Sequence, residues 1–222
     1  MKMKKRIIKD LILGITLIIM FGVFTLLVMK YDIKNIGVNN TTIGFATLNS
    51  WFNKTTGTHL MFYSITDWLE LLPLLVCVCF GLIGLKQLLS RKKIFLVDHD
   101  ILLLGIYYII VILLYLLFDK MCINYRPILI EGKLEASYPS STVLLVLCVM
   151  LTLTFQINRR VKNDKTKIYL ETLNNIYIIF MLFGRIVSGV HWITDIIGSI
   201  ILALGLFKLY ISFVNMLDNK KG

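Results

Sequence analysis

The chain has 222 residues, of which 57% are hydrophobic, and its mean hydropathy is +0.79. A soluble domain is roughly 45–50% apolar, and the excess here lies in long uninterrupted runs, which excludes an ordinary soluble fold and predicts a polytopic membrane protein. The formal net charge is +11, but the lysines and arginines stand in short tracts between the apolar runs. Membrane topology explains this charge better than nucleic-acid binding, and no nucleic acid is expected as a partner.

Six apolar runs are long enough to cross a bilayer, which takes about 20 helical residues. We therefore predict an all-α integral membrane bundle of six transmembrane helices that forms a single domain over residues 1–222. The predicted spans are 11–29, 68–85, 101–118, 140–157, 168–183 and 192–214. The fifth contains Glu171, Asn174 and Asn175, whose side chains would have to face the bundle interior or lie near the interface.

Basic residues set the predicted orientation. With six spans, the four basic tracts at 2–9, 91–93, 159–167 and 220–221 fall on one side. By the positive-inside rule that side is the cytoplasm, so both termini are predicted to be cytoplasmic. The outer side then holds the segments 30–67 and 119–139 and the turn 185–191.

The first outer segment contains apolar residues spaced for a short amphipathic helix at about 41–53. These residues are Ile43, Phe45, Leu48, Trp51 and Phe52. Such a helix would lie in the membrane interface. An ordered loop with a few aromatic anchors is the equally supported alternative.

Polar residues that membrane crossing does not require collect at the predicted outer face. They are Lys120, Arg126, Ser140, Ser141, Thr142, Arg185, His191 and Asp195. Each alone also fits a structural role, such as interfacial snorkelling or helix capping. Together, arginine forks, a lysine charge and the free N–H groups of a helix N-terminus suit a phosphate. His191 can attack phosphorus, and Asp195, one helical turn further on, can orient the imidazole and stabilise its positive form.

The spacing Arg185-x5-His191-x3-Asp195 resembles the third motif of the phosphatidic acid phosphatase type 2 superfamily, the lipid phosphate phosphatases. Gly184 stands where that family usually has serine. The first motif, Lys-x6-Arg-Pro, is approached by Lys120 and Arg126-Pro127, with five intervening residues instead of six. The second motif, Pro-Ser-Gly-His, begins as Pro139-Ser140, but Ser141 replaces its glycine and Thr142 its histidine.

The resemblance implies a phosphatase of the plasma membrane, with its active site on the extracytoplasmic side. It would hydrolyse a lipid phosphate or diphosphate, such as an isoprenoid diphosphate, phosphatidic acid or phosphatidylglycerol phosphate. By resemblance, His191 would form a phosphohistidine with Asp195 supporting it, and no cofactor or metal is implied. The phosphate would be held by Arg185, Lys120, Arg126, Ser140, Ser141 and Thr142.

In that family the histidine of the second motif protonates the leaving group, and threonine is too weak an acid to replace it. Three interpretations remain open: a diphosphate substrate with a good leaving group, a pseudo-phosphatase that binds lipid phosphates, or a protein altered to trap substrate or to be inactive. The two other histidines are His59, on the outer side but far from the motif, and His99, on the cytoplasmic side. A transporter also fits six spans, but the chain shows no inverted repeat and no paired helix breaks.

Overall fold

The computed structural model describes the backbone of residues 2–221 and the side chains of residues 4–220. Over this range the secondary structure is helical, and extended pairing is confined to isolated β-bridges in loops. The α-helices are α1 (Lys2–Lys30), α2 (Ala46–Thr56), α3 (Leu60–Leu69), α4 (Leu71–Arg91), α5 (His99–Met121), α6 (Ser141–Arg160), α7 (Asp164–Ser188) and α8 (Ile193–Lys221).

Six helical units of the described chain are long and apolar enough to cross a membrane: α1, α3 together with α4, α5, α6, α7 and α8. The predicted all-α bundle of six spans is thereby confirmed. The second span begins earlier than predicted, at Leu60 instead of Trp68. The difference arises because Thr66, Asp67 and Glu70 interrupt the apolar run and conceal the helical start.

The central helices are α6 and α8, which are the most buried of the six spans. Helix α1 packs along α8, α7 packs against α6 and α3, and α5 contacts α4, α6 and α8. The outward faces of α1, α4 and α5 carry exposed leucine and isoleucine side chains. Helices that are apolar on all sides, with their outer faces uncovered, are typical of membrane spans.

Asn174 and Glu171, two of the three polar residues of the fifth span, form hydrogen bonds with α6. Asn174 is buried, and its Nδ2 donates to the carbonyl of Met150 at 2.8 Å and to Oγ1 of Thr154 at 2.7 Å. Glu171 accepts a hydrogen bond from Asn158 near the end of α6. Asn174 therefore faces the bundle interior, which is one of the two positions that the sequence predicted.

The bundle has two chemically different ends. The motif end gathers the last turns of α1, α5 and α7 and the first turns of α3, α6 and α8, together with the two long loops, 31–59 and 122–140. All four basic tracts lie at the opposite end. There Arg159 and Arg160 form ion pairs with Asp218 and Asp100, both at 2.8 Å.

Candidate active site

The third sequence motif forms the tight connection between α7 and α8. Helix α7 ends at Ser188, and Gly189 follows with φ +67°, a left-handed conformation that glycine adopts without strain. A Cβ at position 189 would also collide with the carbonyl oxygen of Gly57. The turn leaves Arg185 on the last turn of α7 and sets His191 just before α8.

His191 and Asp195 are both buried and face each other. Nδ1 of His191 lies 3.6 Å from Oδ2 of Asp195, slightly beyond hydrogen-bond length. The same carboxylate oxygen accepts from the backbone N–H of Trp192 at 2.9 Å, and the carbonyl of Asp195 accepts from the N–H of Ser140 at 3.2 Å. Asp195 is therefore fixed on the Nδ1 side of the ring, and Nε2 has no protein partner within residues 4–220.

The surroundings of His191 keep its imidazole neutral at physiological pH. Burial lowers its pKa from 6.5 to about 4, the positive charges of Arg126 and Arg185 act in the same direction, and Asp195 opposes them. A neutral imidazole has a free lone pair, which a nucleophile requires.

Arg185 is buried, and only some of the N–H donors of its guanidinium have partners in the described structure. Nη2 lies 3.2 Å from both Oδ1 of Asp67 and Oε2 of Glu70. Nε and Nη1 have no hydrogen-bond partner among the described residues. The ring of Tyr63 lies 5.1 Å from the guanidinium carbon of Arg185 and 5.9 Å from that of Arg126, so one aromatic ring contacts both cations.

Arg126 is carried by the 122–140 loop, which folds back on itself through a bridge between Tyr125 and Ala136. Its Nε lies 3.1 Å from Oε2 of Glu135, and its buried Nη1 has no partner in the described structure. Nε1 of Trp192 donates to the carbonyl of Tyr125 at 2.7 Å. This bond ties the loop to the start of α8, and so holds Arg126 near His191.

The second motif forms the start of α6. Ser140 precedes the helix, and its buried Oγ has no partner within the described chain. Ser199 Oγ donates to the carbonyl of Ser140 at 2.9 Å, which joins α6 to α8. Thr142 is buried, and its Oγ1 donates a 2.6 Å hydrogen bond to Oε2 of Glu70.

Two adjoining cavities open at these residues. The first, of about 530 Å³, is lined by Arg126, Ser141 and His191 among others. The second, of about 230 Å³, lies between α4, α5 and α6; Glu70 and Thr142 form its polar end, and its other walls are mainly apolar. Tyr115, Ser141 and Leu144 line both cavities.

Lys120 is the one predicted site residue that the structure does not bring into this group. It is exposed on the last turn of α5 and lines neither cavity, whereas the neighbouring Asp119 lines the first. One residue corresponds to about 100° around a helix. The five-residue spacing before Arg126 therefore turns the lysine away from the cavity.

Glu70 and Asp67 are acidic residues of the site that the sequence motifs do not include. Pro73 lacks the N–H that would bond the carbonyl of Leu69 in a continuous helix, and the hydroxyl of Tyr177 donates to that carbonyl instead, at 3.0 Å. The interruption leaves Glu70 between α3 and α4 with its carboxylate directed at α6 and α7. In the sequence, this break in the helix is indicated by two acidic residues that shortly precede a proline inside an apolar run.

In the segment 30–67, where one of two interpretations placed an interfacial helix at about 41–53, the structure has the helix Ala46–Thr56. Asn49, fully buried, docks this helix on α8: its Nδ2 donates to Oγ1 of Thr194 at 3.0 Å, and its Oδ1 accepts from the N–H of Thr194 at 3.3 Å. His59 is nearer to the third motif than predicted, because its N–H donates to the carbonyl of Ser188 at 3.0 Å. Its exposed ring contacts the carbonyl of Thr56.

Comparison with known proteins agrees with this architecture. Residues 118–218 match the family model of the PAP2 superfamily. The fold is similar to the crystal structure of a transmembrane PAP2-type phosphatidylglycerolphosphate phosphatase from Bacillus subtilis, with a TM-score of 0.61 and 17% identity over 94% of this chain and 97% of that one. No curated protein matches the sequence. The chain is a multi-pass membrane protein, and its residues 118–218 are similar to the PAP2 superfamily.

Proposed function

We propose that this protein is a membrane lipid phosphatase that cleaves a lipid phosphate or diphosphate through a phosphohistidine on His191. One observation carries the proposal: buried polar atoms without a partner in the described chain converge at the motif end. They include Nε and Nη1 of Arg185, Nη1 of Arg126, Oγ of Ser140 and both ring nitrogens of His191. An unsatisfied buried polar group costs about 1–3 kcal/mol, so such a cluster indicates a polar ligand. The donors suit a phosphate anion.

The proposed reaction follows from the roles that these groups can take. The two arginines hold the non-bridging oxygens, and Nε2 of His191 attacks phosphorus from the side opposite the leaving group. Asp195 stabilises the positive charge that develops on the ring. Water then attacks the phosphohistidine, which releases inorganic phosphate and restores the neutral imidazole.

The second cavity supports a lipid as the carrier of the phosphate. Its walls between α4, α5 and α6 are mainly apolar, and Glu70 at its polar end lies 3.2 Å from Nη2 of Arg185. The second cavity also shares lining residues with the first cavity, which His191 lines. Suitable substrates are an isoprenoid diphosphate, phosphatidic acid or phosphatidylglycerol phosphate. The fold neighbour from Bacillus subtilis is named for the last of these.

The site is proposed to face the extracytoplasmic side of the plasma membrane. The four basic tracts are at the end of the bundle opposite the motif end, and basic tracts of short loops remain on the cytoplasmic side. Phosphorylated lipids of the outer leaflet are then the accessible substrates.

A second candidate function is a pseudo-phosphatase that binds a lipid phosphate without turning it over. The observation in its favour is the pair of carboxylates, Asp67 and Glu70, which already hold Nη2 of Arg185. Thr142 also offers no acidic proton. This protein would bind the same lipids and release no phosphate.

Phosphate release from a lipid panel in detergent micelles tests both functions. The wild-type protein is expected to release phosphate from at least one of the three lipid classes, with activity that persists in a chelator. His191→Gln, which keeps the polarity and approximate size of the ring, should abolish release. Activity that survives in His191→Gln contradicts the mechanism, and lipid binding without release by the wild type supports the pseudo-phosphatase.

A further inference from the structure

Cleavage of a phosphate ester needs a proton for the departing oxygen. An alkoxide leaves poorly, and a positioned general acid contributes about 10²–10⁴ in rate. His191 is committed to nucleophilic attack, Asp195 lies behind it on the Nδ1 side, and Thr142 is not acidic. A general acid for this step would therefore have to be another titratable group at the site.

Among the carboxyl groups near Arg126, Arg185 and His191, Glu70 is the one that lines the apolar second cavity. Oε2 of Glu70 accepts from Oγ1 of Thr142 at 2.6 Å and lies 3.2 Å from Nη2 of Arg185. Asp67 shares that guanidinium nitrogen, but its side chain is 49% exposed and does not line the second cavity. Glu70 lines that cavity, where the lipid portion of the substrate would lie.

The guanidinium of Arg185 relates Glu70 to the proposed phosphate position. Nη2 holds Glu70, while Nε and Nη1 remain available for phosphate oxygens. A phosphate at those two atoms has Glu70 beside it, and a leaving group directed into the second cavity passes this carboxyl group.

We propose that Glu70 is the general acid and base of this site, positioned by Thr142 and Arg185; the inference rests on the proposed phosphatase function. In the first step Nε2 of His191 forms a bond to phosphorus, the P–O bond to the lipid breaks, and the departing oxygen takes the proton of the Glu70 carboxylic acid. In the second step the Glu70 carboxylate takes a proton from water as the water oxygen attacks phosphorus. The P–N bond breaks, its electron pair returns to His191, and phosphate leaves.

Substrates with different leaving groups provide the test. Dioctanoyl phosphatidic acid releases an alkoxide, whereas p-nitrophenyl phosphate releases a weakly basic phenolate that needs little protonation. Glu70→Gln preserves the shape and can still accept from Thr142 and Arg185. We expect this variant to lose about 10²–10⁴ in kcat on the lipid and less than about 10-fold on the aryl phosphate. Introducing Thr142→His in the Glu70→Gln background should recover lipid hydrolysis.

Two matched controls and one further variant separate catalysis from structure. Asp67→Asn removes the other carboxylate on Arg185, and Asp119→Asn removes an acid of the first cavity; each should affect both substrates alike. Glu70→Asp retains an acid and should keep part of the lipid activity if Glu70→Gln does not fold.

The possible outcomes distinguish this proposal from the proposed function. Three results overturn the role of Glu70 and leave the phosphatase function intact. In Glu70→Gln, these are an equal loss of activity on both substrates or no loss on either. The third is a lipid-selective loss in Asp67→Asn or Asp119→Asn instead. A wild-type protein that releases phosphate from neither substrate overturns the function, and the role of Glu70 with it.

Discussion

Gly184 lies against Thr66 so closely that a Cβ at position 184 would be 2.5 Å from Cγ2 of Thr66. This contact joins α7 to α3 one residue before Arg185; α3 carries Asp67, and Glu70 directly follows it. The absence of a side chain at position 184 therefore allows the two carboxylates to reach the guanidinium. It also explains why glycine is found here, where the motif resemblance expects serine.

Gly184→Ser is expected to destabilise the protein by about 1–3 kcal/mol, because the added side chain overpacks the α3–α7 contact. Thr66→Ser removes Cγ2 but keeps the hydroxyl that bonds the carbonyls of Phe62 and Tyr63. The double variant should recover most of the lost stability, as measured by melting temperature in detergent.

Gly81 provides a matched control for this prediction. It lies in α4, and a Cβ there would meet nothing within 4 Å. Gly81→Ser should therefore leave the melting temperature nearly unchanged. If Gly184→Ser is equally harmless, the proposed packing constraint is absent.

Asp195→Asn is expected to lower kcat by about 10²–10⁴, because a neutral amide cannot stabilise the positive charge on the attacking imidazole. Asparagine can still accept from the N–H of Trp192, so the start of α8 should be preserved. Steady-state kinetics and the amount of acid-labile phosphoprotein measure the effect. A kcat within about 10-fold of wild type would contradict the assigned role of Asp195.

The stability of the protein should depend on the protonation of His191. The folded imidazole has a pKa of about 4, below its ordinary value of 6.5, so the unfolded chain binds more protons between these values. The free energy of unfolding is therefore expected to fall as the pH drops from about 6.5 to about 4, by on the order of 3 kcal/mol for this group. His191→Gln lacks this contribution, and its melting temperature should decline less over the same range.

The same lowered pKa has a kinetic consequence. Because the imidazole remains neutral down to about pH 4, protonation of His191 should not limit kcat/KM near pH 6.5. The pH profile of kcat/KM can still fall below about pH 6.5 because the substrate phosphate titrates there. To separate the two causes, the profile is measured again with a substrate whose phosphate has a different pKa. If the fall moves with the substrate, it belongs to the substrate. If kcat/KM falls near pH 6.5 with every substrate, the titrating group belongs to the enzyme, and the buried, neutral environment described for His191 is contradicted.

The sequence was sufficient to predict the six-span bundle. It was also sufficient to predict that one end of the bundle holds Arg126, Ser140, Thr142, Arg185 and His191. Long apolar runs indicate the number of spans, and basic tracts indicate which loops lie on the same side of the membrane. Glu70 was not predictable in the same way, because its role depends on a tertiary contact between the α3–α4 break and α6. The outward position of Lys120 depends on whether α5 is still helical at that residue, which local sequence leaves open.

Asn49→Ala is expected to loosen α2 from the start of α8. The amide bonds Thr194 and the carbonyl of Gly44, and its loss leaves buried polar groups unpaired, at a cost of about 1–3 kcal/mol. Because Thr194 is adjacent to Asp195, phosphatase activity should fall together with the melting temperature. Asn175→Ala, at an exposed position on α7, is the matched control and should change neither.

Labelling with a membrane-impermeant thiol reagent should reveal which end of the bundle is extracytoplasmic. The four native cysteines are first replaced by serine or alanine. A single cysteine is then introduced at Glu131, an exposed residue of the motif-end loop, or at Lys92, an exposed residue at the opposite end. By the positive-inside rule the basic end is expected in the cytoplasm. In intact cells Glu131→Cys should therefore be labelled, and Lys92→Cys should be labelled only after permeabilisation. The reverse pattern would place the proposed phosphate site inside the cell, and its substrates would then have to be lipids of the inner leaflet.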